Sequence, residues 1–203
     1  MRQTILISLL IGMSAIVSAC QSTQSLKQET GVHSQVAKAN IGKGVELTLP
    51  KIPGFPDKLE AVQTLIARHD GRTQALQAVV SAQSDHVNVV MMLANGPRVM
   101  EVDWTQIDLI ETRSSFAPDA LSGLNILADM FLVFWPANAV ENALSEGTYI
   151  SQTDGKRLIY NDTRQLVEIM YYTKDARGRD HYVLTNFDLG YSLTIYSDAM
   201  TAS

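Results

Sequence analysis

One stretch, from Pro118 to Pro136, has a helix-like spacing of apolar residues that the chain after residue 20 otherwise lacks. Large apolar side chains recur in it every three to four positions, which is typical of one face of an α-helix. These residues are Leu121, Leu124, Leu127, Phe131 and Phe134. From Met130 to Trp135 the chain is apolar on every side, so this segment has to be buried or to contact an apolar molecule. The stretch is too short to cross a bilayer, which takes about 20 apolar residues.

Segments typical of β-strands lie on both sides of this stretch and are separated by turn residues. The pairs Asp70-Gly71 and Asn95-Gly96 supply the positive φ angles that tight hairpin turns require. Counted from Val45, about eleven strands are predicted, and no sequence repeat accompanies them. Their ranges are 45–49, 59–69, 73–83, 86–94, 98–104, 107–112, 148–153, 157–161, 165–172, 182–187 and 191–196.

These patterns predict a mainly antiparallel β fold, an open, incomplete β-barrel of about eleven strands with a helical insert at 118–146 as its lid. Within the insert, Pro136 ends the first helix and opens a second, shorter one that Gly147 stops. We assign residues 1–19 to a signal peptide, residues 20–44 to a lipidated cysteine and a flexible tether, and residues 45–203 to a single domain.

The first twenty residues have the features of a secretory signal that ends in a lipid-attachment site. Arg2 precedes an apolar segment from Ile5 to Val17, and Val17-Ser18-Ala19-Cys20 resembles the bacterial lipobox. Cys20 is the only cysteine, so no intramolecular disulfide is expected. In lipobox proteins this cysteine is acylated, and several acyl chains together anchor a protein stably to a membrane. The alternative is an ordinary signal peptide followed by a chance cysteine.

The expected location follows from the residue after Cys20. Gln21 is not the aspartate that resembles an inner-membrane retention signal, so we expect the inner leaflet of the outer membrane, with the domain facing the periplasm. The outer membrane, reached through acylated Cys20, is then the first partner. The net charge of −5 gives no electrostatic reason to bind nucleic acid or anionic headgroups.

A resemblance to a known family rests on the run from Ile126 to Pro136, ILADMFLVFWP. Together with Leu49-Pro50 upstream and Gly190-Tyr191 near the end, it resembles a family of bacterial lipoproteins of unknown function. Members are often encoded beside genes for the synthesis of aryl polyenes or fatty-acid-like molecules. The resemblance covers most of the chain from Leu49 to Tyr196. It implies an aryl polyene lipid as a candidate ligand and lipid or polyene export proteins as candidate partners.

The order of lipobox, strands, helical insert and strands is also similar to that of LolA and LolB, the periplasmic carrier and outer-membrane acceptor of lipoproteins. This likeness of architecture implies an unclosed antiparallel barrel whose helices cover an apolar cavity for acyl chains. The apolar run and the adaptable methionines predict which residues line such a cavity. They are Met91, Met100, Leu127, Phe131, Phe134 and Trp135. Ordinary core packing is the alternative for each of them.

Asp129 stands at the start of the apolar run and is the candidate polar anchor of the cavity. A carboxyl group in such surroundings has a raised pKa, which suits a ligand anchor or a proton donor. Alternatively, Asp129 bonds a backbone amide or an arginine such as Arg157 or Arg164, or it faces water. If it is buried, it needs a partner.

No motif for catalysis or metal binding stands out. The four histidines are scattered and lack metal-ligand spacing. They are His33, His69, His86 and His181. There is no G-x-S-x-G sequence and no glycine-rich phosphate loop. We therefore expect no enzyme activity, no metal and no cofactor.

The leading hypothesis is a lipid-anchored outer-membrane lipoprotein that binds or transfers a hydrophobic ligand between its sheet and its helices. The ligand would be an acyl chain, a lipid or an aryl polyene lipid. A first alternative is a non-enzymatic assembly or scaffold lipoprotein that binds a protein partner. A second alternative is an enzyme that acts on a lipid-linked substrate.

Overall fold

The computed structural model describes residues 26–29, 37–94, 96–115, 117–118 and 121–200. The predicted signal peptide, the lipobox and Cys20 lie outside these residues. The described part contains thirteen strands and two helices. The strands are β1 (Leu26–Glu29), β2 (Lys38–Gly42), β3 (Val45–Thr48), β4 (Leu59–His69), β5 (Arg72–Gln83), β6 (His86–Leu93), β7 (Arg98–Thr105), β8 (Leu109–Ser114), β9 (Thr148–Thr153), β10 (Lys156–Asn161), β11 (Gln165–Tyr172), β12 (Asp180–Asn186) and β13 (Tyr191–Ala199). The helices are α1 (Gly123–Phe134) and α2 (Ala137–Ala143).

Eleven of the described strands form one sheet in the order β1-β8-β7-β6-β5-β4-β13-β12-β11-β10-β9. Every pairing is antiparallel. The strands before and after the helices meet where β4 pairs with β13. The described edge strands, β1 and β9, do not pair with each other, so no closed barrel is seen. The predicted mainly antiparallel fold with a helical insert is confirmed.

Two strands lie in the segment that was assigned to the tether. β1 pairs with β8 at one edge of the sheet, and β2 forms a separate two-stranded sheet with β3. In β2, Ala39 and Ile41 are buried while Lys38 is exposed. Ordered structure therefore begins before residue 45. A strand with only two buried apolar side chains has too short an alternation to be distinguished from a polar linker in the sequence.

The first helix begins at Gly123, five residues after the predicted start at Pro118. The side chains of β8 explain the later start. The carboxylate of Glu111 accepts the backbone N–H of Gly123 at 2.7 Å, and Arg113 donates to the carbonyl oxygens of Leu121 and, at 3.0 Å, Pro118. These bonds hold the preceding chain in a non-helical path and satisfy a free N–H group of the first turn.

The other end of α1 is fixed by Arg157 of β10, which is only 5% exposed. Its guanidinium donates to the carbonyl oxygens of Leu132 and, at 2.8 Å, Trp135. Tyr171 donates its hydroxyl to the carbonyl oxygen of Val133 at 2.9 Å. A cation at this end satisfies free carbonyl groups and complements the helix dipole. Both ends of α1 are therefore held by side chains of the sheet.

In the sequence of β7, apolar residues alternate with Glu101 and Asp103, which predicts one face in contact with water, and the structure confirms this face. In β7 the buried Val102 alternates with the half-buried Glu101 and Asp103. In the sequence of β6, apolar residues occupy both alternating sets, which predicts a strand covered on both faces. Its inward side chains, such as Met91, are buried, but Val90 on the outer face is only half-buried. No described element covers that outer face, so the helices and the β2–β3 hairpin enclose one side of the sheet only.

Candidate functional site

A cavity of about 420 Å³ lies between α1 and the inward faces of β4, β5, β6 and β13. Its volume falls within the range of roughly 300–1,000 Å³ that is typical of small-molecule sites. Most of the side chains around it are apolar. Those of the sheet are Leu65, Ala67, Leu76, Ala78, Val80, Val89, Met91, Leu193 and Ile195, and those from 118–134 are Pro118, Leu121, Ile126, Ala128, Met130 and Phe134.

The register of the strands orders the sheet side of this lining into rows. From the outside inward, the rows are Tyr191–His69, then Leu193–Ala67–Gln74, then Ile195–Leu65–Leu76, and then Gln63–Ala78–Met91. From His69 to Gln63 of β4 they extend over six residue-to-residue steps, which corresponds to about 20 Å at 3.3 Å per step. The cavity is therefore elongated along the strands.

The two ends of the cavity differ in polarity and exposure. The outer end, which we call the mouth, is formed by exposed polar residues: Asn40, Arg68, His69, Gln74 and Asn125. At the inner end Ala78 and Met91 are each 1% exposed. The one polar residue there, Gln63, donates to the hydroxyl of Ser197 at 3.4 Å. An elongated molecule would thus meet polar groups at one end and apolar groups at the other.

Asp129 lies just inside the mouth, where the hydroxyl of Tyr191 donates to its Oδ1 at 2.7 Å. Burial raises the pKa of Asp129 to about 7, and the hydrogen bond from Tyr191 opposes this effect. Burial and the neighbouring Asp129 in turn raise the pKa of the Tyr191 hydroxyl. Protein surrounds the Asp129 side chain, and its partial exposure is to the cavity that it borders. Its charge therefore depends on what fills the cavity.

The partner of Asp129 differs from the arginines suggested by the sequence. Arg157 binds the carbonyl groups at the end of α1, and Arg164 pairs with Asp188 at 2.7 Å. The alternative that Asp129 faces water does not hold either, because the Tyr191 hydroxyl binds it directly. The carboxyl group is thus a buried polar group with a hydrogen-bond partner, as a cavity wall of this kind requires.

The structure brings three of the predicted site residues to the cavity, namely Met91, Phe134 and Asp129. The other four are in the core and do not border it: Met100, Leu127, Phe131 and Trp135. The reason is the orientation of α1. One stripe of the helix faces the core, where the ring centroids of Phe131 and Trp135 lie 4.8 Å apart and those of Phe55 and Trp135 lie 4.7 Å apart. Two other stripes face the cavity.

Those cavity-facing stripes include polar residues to which the sequence patterns gave no role. Ser122 and Asn125 line the cavity on the same side of α1 as Asp129. Tyr191, the partner of Asp129, was also missed, although a signal for it exists. It alternates with Leu193 and Ile195 in β13, and a period of two places all three on the inward face.

Two further features of the described residues bear on function. No group of three or more His, Cys, Asp or Glu side chains in them has an arrangement that could hold a metal ion. Neither described helix is long and apolar enough to cross a membrane.

Comparison with curated proteins found no match. Comparison with protein families matched residues 60–199 to the family described as "Protein of unknown function (DUF3261)". The matched region contains α1, the strands β5, β6 and β13 and nearly all of β4 in the cavity wall, and both Asp129 and Tyr191, whereas Asn40 of β2 lies before it. Since the match covers more than half of the sequence, the chain belongs to this family of proteins of unknown function.

Proposed function

We propose that this chain is a lipid-anchored lipoprotein of the outer membrane, facing the periplasm, that binds or transfers a hydrophobic ligand. The observation that carries the proposal is the elongated apolar cavity of about 420 Å³ under α1, open at a polar mouth. An acyl chain, a lipid or an aryl polyene lipid has the shape and polarity that this cavity suits. Acylation at Cys20 supplies the anchor, on the basis of the lipobox.

The binding energy in this proposal comes from burial of apolar surface. Each methylene group removed from water contributes about 0.8 kcal/mol, so a chain of ten gains about 8 kcal/mol before the costs of association. Those costs are at least about 4 kcal/mol. Weak binding of short chains and tighter binding of longer ones is therefore expected, which suits a protein that passes its ligand on.

The finer description of the fold is also part of the proposal. An unclosed antiparallel sheet, covered on one side by helices that enclose an apolar cavity, supports a LolA/LolB-like architecture. Fold alone does not establish function, so the cavity and not this likeness carries the argument.

Native mass spectrometry with organic extraction tests the proposal on the full chain carrying Cys20→Ala and produced in a bacterial periplasm. We expect a co-purified lipid or polyene at a stoichiometry close to one. Ala78→Phe, which projects into the inner end of the cavity, should remove it. Val79→Phe, one residue along β5 and on the outer face, is the matched control and should retain it.

Thermal denaturation of both variants establishes that they are folded before ligand content is compared. Equal ligand content in folded Ala78→Phe and Val79→Phe proteins would contradict the assignment of the cavity. A wild-type protein without ligand, which also fails to bind added lipid, would contradict ligand binding itself.

One observation favours the scaffold alternative. β9 forms an edge of the sheet, and the exposed rings of Tyr149 and Tyr160 lie side by side there with their centroids 5.8 Å apart. An open edge with exposed aromatic side chains is a surface that a protein partner could pair with. Crosslinking at Tyr149 to a stable partner, in a protein that binds no lipid, would favour this alternative.

The enzyme alternative rests on Asp129, whose pKa of about 7 suits a general acid or base. Ser122 is the serine that lines the cavity, and no hydrogen bond joins its hydroxyl to a histidine or carboxylate among the described residues. Without a nucleophile and base in contact, we keep ligand binding as the proposal.

A further inference from the structure

The Asp129 carboxyl group has hydrogen-bonding capacity that the protein leaves open toward the cavity. Its Oδ1 accepts the hydroxyl of Tyr191 at 2.7 Å. Among the described residues, no second group donates to it. An ionised carboxylate accepts about four hydrogen bonds. Because Asp129 lines the cavity, acceptor sites that Tyr191 does not use are available to a group that enters it.

Without a ligand these acceptor sites can bond only to water, and a ligand that enters this space displaces that water. A buried acceptor that loses its donor costs about 1–3 kcal/mol, whereas a replaced hydrogen bond costs little. The carboxyl lies beside the mouth, while the inner rows of the cavity are apolar. The group that replaces the water must then sit at the outer end of the ligand, with the apolar chain pointing inward.

The charges around the mouth restrict what this group is. An anionic headgroup would face the carboxylate of Asp129 at short range, which disfavours two charges of the same sign. An ammonium group would form a desolvated ion pair, whose attraction often fails to offset the loss of water. Arg68, which makes no ion pair with a described residue, would repel an ammonium group and attract an anion, but it is exposed at the mouth, so solvent screens both effects. An uncharged donor satisfies Asp129 without either penalty.

We propose that the ligand of this cavity is a single-chain amphiphile whose outer end carries an uncharged hydrogen-bond donor, a hydroxyl or a phenol, bound by the carboxyl group of Asp129. This inference rests on the proposed function, because it names the ligand class of the same cavity. Asp129 and Tyr191 then determine which end of the ligand stays at the mouth.

Isothermal titration calorimetry with probes of equal chain length tests this on the full chain carrying Cys20→Ala. The probes are 1-decanol, its methyl ether, decanoic acid and decylamine, titrated at about pH 8, above the pKa of Asp129 of about 7. The alcohol donates a hydrogen bond that the ether cannot. We expect 1-decanol to bind about tenfold tighter than the ether and tighter than the acid and the amine, since about 1.4 kcal/mol corresponds to a factor of ten.

The double variant Asp129→Leu/Tyr191→Phe replaces both hydrogen-bonding partners by apolar groups of similar shape, a change that costs little stability. It should bind the ether as well as the wild type does and lose most of its preference for the alcohol.

Each outcome decides between the two proposals. Binding of all probes without preference, or a preference for the acid or the amine, would overturn the assignment of the donor while leaving the hydrophobic cavity in place. A preference for the alcohol that survives in the double variant would overturn the role of Asp129. No binding of any probe to the wild type would overturn the proposed function together with this inference.

Discussion

The substitution Asp129→Asn should remove a pH dependence of stability that the cavity imposes on the empty protein. The carboxyl group has its ordinary pKa of 3.8 in the unfolded chain and, because of burial, a pKa of about 7 in the folded protein. Asparagine keeps the shape of the side chain and an acceptor for the Tyr191 hydroxyl, but it carries no charge at any pH. The difference between the two proteins therefore isolates the titration of Asp129.

The sign follows from which state binds the proton. Below pH 3.8 the carboxyl is protonated in both states, and it makes no difference to the pH dependence. Between pH 3.8 and about 7 the folded protein keeps the proton that the unfolded chain has lost, so stability falls as the pH rises. Above about pH 7 the carboxyl is ionised in both states, and the folded protein retains the full loss of stability caused by burying the charge. At about 1.36 kcal/mol per pKa unit, this cost is roughly 4 kcal/mol.

Urea denaturation of the two proteins across about pH 4 to 8.5 measures this cost, with the full chain carrying Cys20→Ala as the background. We expect Asp129→Asn to match the wild type within about 1 kcal/mol near pH 4 and to be roughly 2–4 kcal/mol more stable at about pH 8. Asp154→Asn, at an exposed turn position between β9 and β10, is the control and should show no such change. A difference between Asp129→Asn and wild type that is flat across this range would refute the reasoning, because the carboxyl would then be as well solvated as in the unfolded chain.

Three further substitutions test how α1 is held, each measured by urea denaturation. Arg157→Met should destabilise the protein by about 3 kcal/mol, because two carbonyl groups at the end of α1 lose a charged donor. Phe131 is 2% exposed, and Phe131→Ala should lower the free energy of unfolding by about 3–5 kcal/mol. Phe187 is 53% exposed, and Phe187→Ala, the control, should lower it by less than about 0.5 kcal/mol. Equal losses would contradict the placement of Phe131 in the core. Gly123→Ala should cost about 1–3 kcal/mol, since its Cβ would lie 2.6 Å from the carboxylate of Glu111, and an unchanged stability would show that the start of α1 moves freely.

The strands were predictable because each carries a local signal. Tight turns separate them, and Asp70 and Gly71 adopt the predicted positive φ angles, 49° and 71°. Gly96, for which a positive φ angle was also predicted, does not have one. The bounds of β4, β9 and β11 coincide with the predicted ones. What the local pattern lacks is the partner of each strand. That β4 pairs with β13, more than a hundred residues later, depends on how the two halves curve around the helices, and no periodicity encodes it.

The site was predicted only in outline for a related reason. The apolar run from Met130 to Trp135 indicated contact with something apolar on every side, and it does have such contacts. However, the stripe with Phe131 and Trp135 packs in the core, and the stripe with Phe134 borders the cavity. The sequence of a helix that is apolar all round does not say which way it is rotated. Its orientation is set by Arg157 and the other side chains that bind its ends, which lie far away in the chain.

On the proposed function, the fixed ends of α1 would also determine how a ligand reaches the cavity. Lifting the helix would break the hydrogen bonds that Glu111 and Arg157 make to its ends and would leave the Arg157 guanidinium without its two backbone acceptors. Losing even one charged hydrogen bond of this kind costs about 1.5–3 kcal/mol, and both ends would have to be released together. The mouth needs no such step, because its polar residues are already exposed. A ligand of the proposed class that enters by the mouth would go in chain first and keep its polar end beside Asp129. The arrangement that holds the lid in place would then also orient this ligand, and it would exclude molecules with a bulky polar group at both ends.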